Sequence, residues 1–422
     1  MRDDMFIDYN RSFLAAQREE SRSLDYRMAA RGAEQLLVDL GITYHPMPYY
    51  FRIDPAVHAA LTRATRVLVE AQEKLLRHLC ATRTSDELQQ MFNVPAAMAA
   101  QLDWPALASS GLRMLRADII PTDSGYCFCE LNHFSGVGGT ECYYSAQAFA
   151  ELLGRSVSGV SPIRQQAYLY LTECRRGGFT RFVILDSTEH RTAGYGEKWL
   201  LQRYLRLMAP DLEICYHDEK TYPAEWLAPE EAERTLIHRL VTFADTTDGG
   251  AFLVALRDSG ATFSSFFEAE LKMHRRWLSL LCKAEHQQLL TEEELDVVQR
   301  YVPHTFDLDR DNLDAVLADK DQLVLKRSYS YGGAGVVMGD QYGRDELRRL
   351  LSADISGWNC QRRVQASSLE LPGHDGTTVP FYFVLGMYLY GDGASGLLVR
   401  GGPHSPIVNV GRGGGASWAF VE

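Results

Sequence analysis

Two short apolar runs constrain this chain more than any other feature. Met114 to Ile120 and Tyr126 to Leu131 flank Thr122-Asp123-Ser124-Gly125, and eleven residues stand between Asp118 and Glu130. Turn residues between two strand-like runs give hairpin spacing. On antiparallel strands the period of two puts Arg116, Asp118, Glu130 and Asn132 at alternating positions that can share one face. Two carboxylates on one face repel unless a cation sits between them. Oxygen donors without His or Cys suit magnesium better than zinc, and magnesium keeps water and phosphate oxygens in its remaining positions. The stretch thus reads as half of a nucleotide-phosphate site. Taken alone it reads equally as a hairpin whose polar face meets water.

Composition sets the frame for that hairpin. At 422 residues, 46% hydrophobic and 11% aromatic, the chain can bury a large core in two or three domains or subdomains. A net charge of -12 argues against a nucleic-acid or anionic-membrane partner. Met1-Arg2-Asp3-Asp4-Met5 carries no apolar signal core and no run reaches membrane-span length, so a cytoplasmic enzyme is expected. The eight cysteines are scattered without metal-ligand spacing and read as reduced structural thiols.

Leu61, Ala64, Leu68, Leu75 and Leu79 predict a long amphipathic helix over 54–80, with shorter helices over 85–90 and 94–102. A helix is expected through Ala146 to Leu153. Arg181 to Asp186 is a buried strand, Gly196 to Met208 a helix and Leu212 to Tyr216 a strand, which predicts a βαβ unit with a parallel sheet. Ala251 to Arg257 is expected as a further strand of it, leaving Arg257 as a candidate partner for a substrate carboxylate or an ordinary surface arginine. A helix over 266–283 follows, and Thr291-Glu292-Glu293-Glu294 has capping-box spacing.

Leu323 to Lys326 and Tyr331 to Met338 read as a strand, a glycine turn and a second strand. Glycines there let backbone N–H groups close over phosphate oxygens while Lys326 supplies a point charge. No Gly-Lys-Ser/Thr follows, so the turn is not a Walker loop, and alone it reads as structural too. Asn359 to Gln365 is a short strand. Phe381 to Tyr390, the turn Gly391-Asp392-Gly393 and a return strand to Arg400 precede Asn409 and the cluster Gly411-Arg412-Gly413-Gly414-Gly415.

Together these pieces resemble the ATP-grasp ligases, and their order resembles the circularly permuted members such as glutathionylspermidine synthetases and eukaryotic-type glutathione synthetases. The metal hairpin there precedes the lysine hairpin, as Arg116-x-Asp118 and Glu130-x-Asn132 precede Lys326 here. The likeness covers roughly 112–140 and 265–422. It implies an α+β (α/β) ATP-grasp fold in permuted order, with antiparallel sheets gripping ATP, a smaller parallel βαβ substrate or lid domain, and N-terminal helices. The corresponding divisions are 1–105, 106–175, 176–262 and 263–422.

The resemblance implies that Asp118, Glu130 and Asn132 bind Mg²⁺, and that Arg116 and Arg400 face the transferring phosphoryl group. Lys326, Gly332, Gly333 and Gly335 would contact ATP phosphates, and Gln361, Arg362, Arg363 and Val364 would lie at adenine. Lys272 is placed by position as a second ATP lysine, with Lys283 as its competitor. Ser135, Gly138, Asn409 and Gly414 would bind substrate. Some family members carry an acidic metal ligand just after the hairpin lysine, where this chain has Ser328 and Ser330. His133, His404 and Tyr331 fall near the site in supporting polar roles. The chemistry implied is ADP-forming ligation of a carboxylate to an amine of an amino acid or peptide. A carrier protein as acceptor, or a catalytically silent ATP-binding subunit, are the alternatives, and the intact charged set weighs against silence.

Overall fold

A computed structural model describes Gly32, Gln35, Met47 and residues 51–108, 114–123, 125–134, 137–157, 159–189, 196–329, 335–372, 378–403 and 414–421. Fifteen strands among the described residues fall into groups along it. The first is β1 (Phe51–Ile53), β2 (Met114–Thr122) and β3 (Gly125–His133). Next come β4 (Arg181–Asp186), β5 (Glu213–Asp218), β6 (Thr235–Arg239) and β7 (Thr262–Phe263). A third set is β8 (Thr305–Asp307), β9 (Leu323–Arg327), β10 (Val336–Met338) and β11 (Trp358–Arg362). The last is β12 (Ser368–Pro372), β13 (Thr378–Tyr390), β14 (Gly393–Pro403) and β15 (Gly415–Val421).

Each middle group makes its own sheet, while the first and last groups share one. The order β1-β15-β14-β13-β2-β3, with β12 also on β13, forms a seven-stranded sheet. It is antiparallel except where β1 lies parallel to β15. The second group is a wholly parallel sheet of order β5-β4-β6-β7, and the third an antiparallel one of order β10-β9-β11-β8. Every residue of β4 is buried, as a central parallel strand covered on both faces requires.

The helix Pro55–Thr82 begins where Asp54 accepts hydrogen bonds from the Ala56 and Val57 N–H groups at 2.7 and 3.3 Å, with proline at the first helical position. It buries Leu61, Ala64, Leu68, Leu75 and Leu79. The helix Gly196–Met208 bridges β4 and β5 as expected. One continuous core underlies the large and parallel sheets, and a smaller one built on Leu323, Leu325, Leu347 and Trp358 underlies the four-stranded antiparallel sheet. No helix among the described residues is long and apolar enough to cross a membrane.

Three expectations are corrected. Ala251 to Arg257 is a helix, Ala251–Asp258, not a strand. The run Ala-Phe-Leu-Val-Ala-Leu has no period of its own, and Asp248 decides it by accepting from the Gly250 and Phe252 N–H groups at 2.9 and 2.8 Å. The helix expected over 266–283 is broken into Phe267–Glu270, a 3-10 turn Leu271–Met273 and Arg276–Cys282, with His274 extended between them. That break frees the Arg275 N–H to donate to Ser328 O at 3.1 Å. The expected helix over 94–102 shrinks to the single turn Ala96–Ala99.

Candidate active site

Register sets the polar face of the β2–β3 hairpin. Arg116 stands opposite Asn132 and Asp118 opposite Glu130, but Ile119 stands opposite Phe128, so Cys129 is an extra residue in β3. A strict period of two would put Phe128 on the same face as Glu130. The bulge at Cys129 resolves that conflict, leaving Phe128 in the core and turning Glu130 and Asn132 outward beside Asp118. Cys129 Sγ donates to Asp118 O at 3.3 Å across the irregularity.

Asp118 is the hub of this face. Arg116 Nε donates to its Oδ1 at 2.8 Å, Asn132 Nδ2 to its Oδ2 at 3.1 Å, and Arg400 of β14 pairs with Oδ2 at 2.6 Å. Burial alone would push the Asp118 carboxyl up, but the Arg116 and Arg400 guanidiniums outweigh it and hold it down at about 2. Against the same burial, Asp118 holds the Arg116 guanidinium above its ordinary range. Arg116 also donates to Gly138 O at 2.8 Å, and Tyr388 OH of β13 donates to that carbonyl at 2.6 Å. Gly386 is the register partner of Asp118, and a Cβ there would stand 2.6 Å from Arg116 Cδ. Only glycine lets the guanidinium arm cross the strand at that point.

The opposite wall comes from the four-stranded antiparallel sheet. Lys326 Nζ donates to Cys129 O at 3.0 Å and to Gln361 Oε1 at 2.8 Å, so the lysine of β9 and the glutamine of β11 meet against the hairpin. Burial draws the Lys326 ammonium below its ordinary pKa, against the pull of Cys129 and Glu130. Ser328 donates to Asn359 Oδ1 at 2.6 Å, in a network that runs on to Asp307.

Arg275 is a member of the site that reasoning from the sequence missed. Its Nε donates to Glu130 Oε1 at 2.9 Å and its NH1 to Arg327 O at 2.9 Å, so it ties the Glu130 carboxylate to the strand of Lys326. The readable signal is Arg275-Arg276 at the start of an apolar helix, which a continuous helix over 266–283 obscures. Lys272, the expected second lysine, is buried with its Nζ 6.0 Å from the centroid of the Phe134 ring, while Lys283 pairs with Asp307 at 3.2 Å.

The structure thus brings together Arg116, Asp118, Glu130, Asn132, Gly138, Lys326, Gln361 and Arg400. Arg362 and Arg363 turn their side chains outward to Asp319 and Asp340, and their N–H groups donate to His304 O and Gln322 O at 2.9 Å each. Val364 follows them past the end of β11. Gly335 has φ 69 and its carbonyl accepts from the Arg327 N–H at 2.8 Å; Gly414 is buried against Gly402. Arg257 lies away from the site, donating to Gln101 O at 3.0 Å over the Phe266 ring. Ser135, Gly332, Gly333 and Asn409, with Ser330, Tyr331 and His404, lie outside the described residues. Asp118, Glu130 and Asn132 offer oxygen donors alone, and no cluster of three His, Cys, Asp or Glu side chains stands among the described residues. That chemistry fits a hard dication and not zinc.

No family model and no curated protein matches the sequence. Solved structures do match the fold. A glutathione synthetase-like effector from Globodera pallida, in its apo form, superposes with a TM-score of 0.62 at 9% identity over 94% of this chain and 96% of that one. A protein of Methylobacillus flagellatus KT described as a gamma-glutamylcysteine synthetase covers 82% of this chain and 85% of its own at 12% identity, with a TM-score of 0.41. The chain is therefore a mixed α/β protein with a fold of the glutathione synthetase-like type.

Proposed function

We propose that the protein is an ATP-dependent ligase of the ATP-grasp type in circularly permuted order. It activates a carboxylate as an acyl phosphate, joins it to an amine of an amino acid or peptide, and releases ADP and phosphate. One observation carries the reading: Arg116, Asp118, Asn132 and Arg400 of the large sheet face Lys326 and Gln361 of a second sheet, with Arg275 bridging the two walls. The fold shared with a glutathione synthetase-like effector supports it. The hairpin β2–β3 precedes β9 in the chain yet supplies the wall opposite it, which supports the permuted order.

Asp118, Glu130 and Asn132 would hold Mg²⁺, which when bound supplies charge neutralisation to the phosphates. Lys326 and Arg275 would meet phosphate oxygens, and for the half-buried Lys326 an anionic partner would offset the cost of desolvation. Arg116 is fixed at two of its edges by Asp118 and Gly138 O, so it meets developing phosphoryl charge without reorganising. Arg400 would hold the acyl phosphate oxygens from β14, where it pairs with Asp118. Positioning and charge stabilisation carry the step, and no nucleophilic side chain is needed. Burial pushes the Cys127 and Cys129 thiols up to about 11 and about 12, in keeping with that.

The test is a screen of amino acids and short peptides with ATP and magnesium, read by nucleotide analysis and product mass. ADP with an amide product is expected. AMP and pyrophosphate would mark an adenylating enzyme and end the proposal.

A further inference from the structure

Behind the proposed phosphoryl site lies a second charged group that none of the roles above uses. Glu141 follows Gly138-Gly139-Thr140 directly, and Glu197 stands in the first turn of the helix Gly196–Met208, which belongs to the parallel-sheet unit. The two carboxyls stand close enough to interact, each raising or tuning the other's affinity for a proton. Burial, then each other's charge, raises Glu141 well above the usual carboxylate range, and burial raises Glu197. Among the described residues no lysine, arginine or histidine forms an ion pair with either one; Lys198 pairs with Asp186 and Arg400 with Asp118.

The surroundings point to a cationic donor. Glu141 is 1% exposed and its Oε2 has no hydrogen-bond partner. Gln166 Oε1 and Tyr390 OH, on residues 3% and 6% exposed, are likewise buried without partners. Gln166 and Tyr170 both reach the Met114 sulfur at 3.5 Å, Met114 is the register partner of Tyr390, and the Tyr170 and Tyr390 hydroxyls lie within the field of Glu197. Tyr388, Tyr390 and Trp418 stack along the same side, Tyr388 to Tyr390 at 6.0 Å and Tyr388 to Trp418 at 5.5 Å. Oxygen acceptors left without donors beside an aromatic wall are what an ammonium group requires.

We propose that Glu141 and Glu197, with Gln166 and Tyr390, form a binding site for the ammonium group of a substrate, so that the ligase is selective for a cationic amine. The inference rests on the ligase reading of the adjoining site, to which Tyr388 connects it through its bond to Gly138 O. The ammonium belongs either to the molecule whose carboxylate is activated or to the separate nucleophile. In both cases its charge is met by the buried carboxyl oxygens of Glu141 and Glu197.

Calorimetric titration of the full chain with glycine methyl ester, which offers an ammonium and no carboxylate, tests the proposal. Because Glu141→Gln or Glu197→Gln alone leaves one carboxylate against an amide, each single variant binds the ester within about threefold of the parent. The double variant loses about tenfold to hundredfold, the worth of a charge-assisted hydrogen bond. Failure of the ester to bind the parent chain, or equal binding by parent and double variant at matched melting temperatures, overturns it. Binding of Mg·ATP, followed separately, reports on the ligase reading and is expected to be unchanged in all three variants. Glycine binding about tenfold tighter than the ester assigns the ammonium to the activated molecule, and equal binding assigns it to the nucleophile.

Discussion

Glu130 and Arg275 show how a single pair can separate structural from chemical roles. The Glu130 carboxylate is partly exposed and, among the described residues, its ion pair is with Arg275, whereas Asp118 is buried under two guanidiniums. Glu130→Ala is therefore expected to leave the melting temperature nearly unchanged while turnover falls by about a hundredfold or more. Near-normal activity by the ADP assay would show that the hairpin has another purpose. The residue identities of the hairpin were legible because Arg116, Asp118, Glu130 and Asn132 sit on two short runs of sequence. Arg275 was not, since its importance comes from a break at His274 that no local pattern announces.

At the scale of elements, β13 is the strand on which the hairpin rests. Gly386 lies opposite Asp118, and a methyl group there would collide with the middle of the buried Arg116 side chain at 2.6 Å. Gly386→Ala should cost about 1–3 kcal/mol of stability and lower activity further than that loss explains, because Arg116 has to leave its place between Asp118 and Gly138 O. Denaturant melts beside kcat measurements check both parts, and full activity with a shifted melt would remove Arg116 from the chemistry. The strands of β13 and β14 were readable from aromatic and β-branched runs with a glycine turn between them. The bulge at Cys129 was not, although Glu130 faces outward only because of it. A register irregularity depends on which strand pairs with which, and pairing is not written in a single run. The helix Ala251–Asp258 was misjudged for a related reason: its cap comes from Asp248, outside the apolar run.

For the whole molecule, buried histidines link stability to pH. Burial, then the charges of Lys198 and Arg239, lowers His238 from its ordinary value near 6.5 to about 3, with Tyr170 OH at 2.7 Å from Nδ1. The unfolded chain takes up this proton below pH 6.5 and the folded chain does not. Stability from His238 is thus present above pH 6.5 and lost as pH falls toward 3, by about 1.4 kcal/mol per pH unit. His238→Asn should remove that slope from the variant, so that the stability difference between variant and parent changes by about 1.4 kcal/mol per pH unit below pH 6.5, as read by urea melts from pH 7 to 5. A difference that stays flat with pH would mean that His238 titrates normally. Asp118, held down at about 2, adds a further loss of the same sign below about pH 4.

The shared sheet also fixes a timetable. Ile119 of β2 and its partner Leu385 of β13 lie 266 positions apart. At about 5–20 residues per second, a ribosome makes the hairpin tens of seconds before the strand that must lie beside it. During that interval β2 presents an unpaired edge, and Arg116 and Asp118 have neither Arg400 nor Tyr388 to complete them. The parallel unit and the four-stranded sheet can assemble meanwhile, because each is drawn from one continuous stretch. Assembly of the site is in this way reserved for the last strands to emerge, and until then the β2 edge stays open to pairing with other strands.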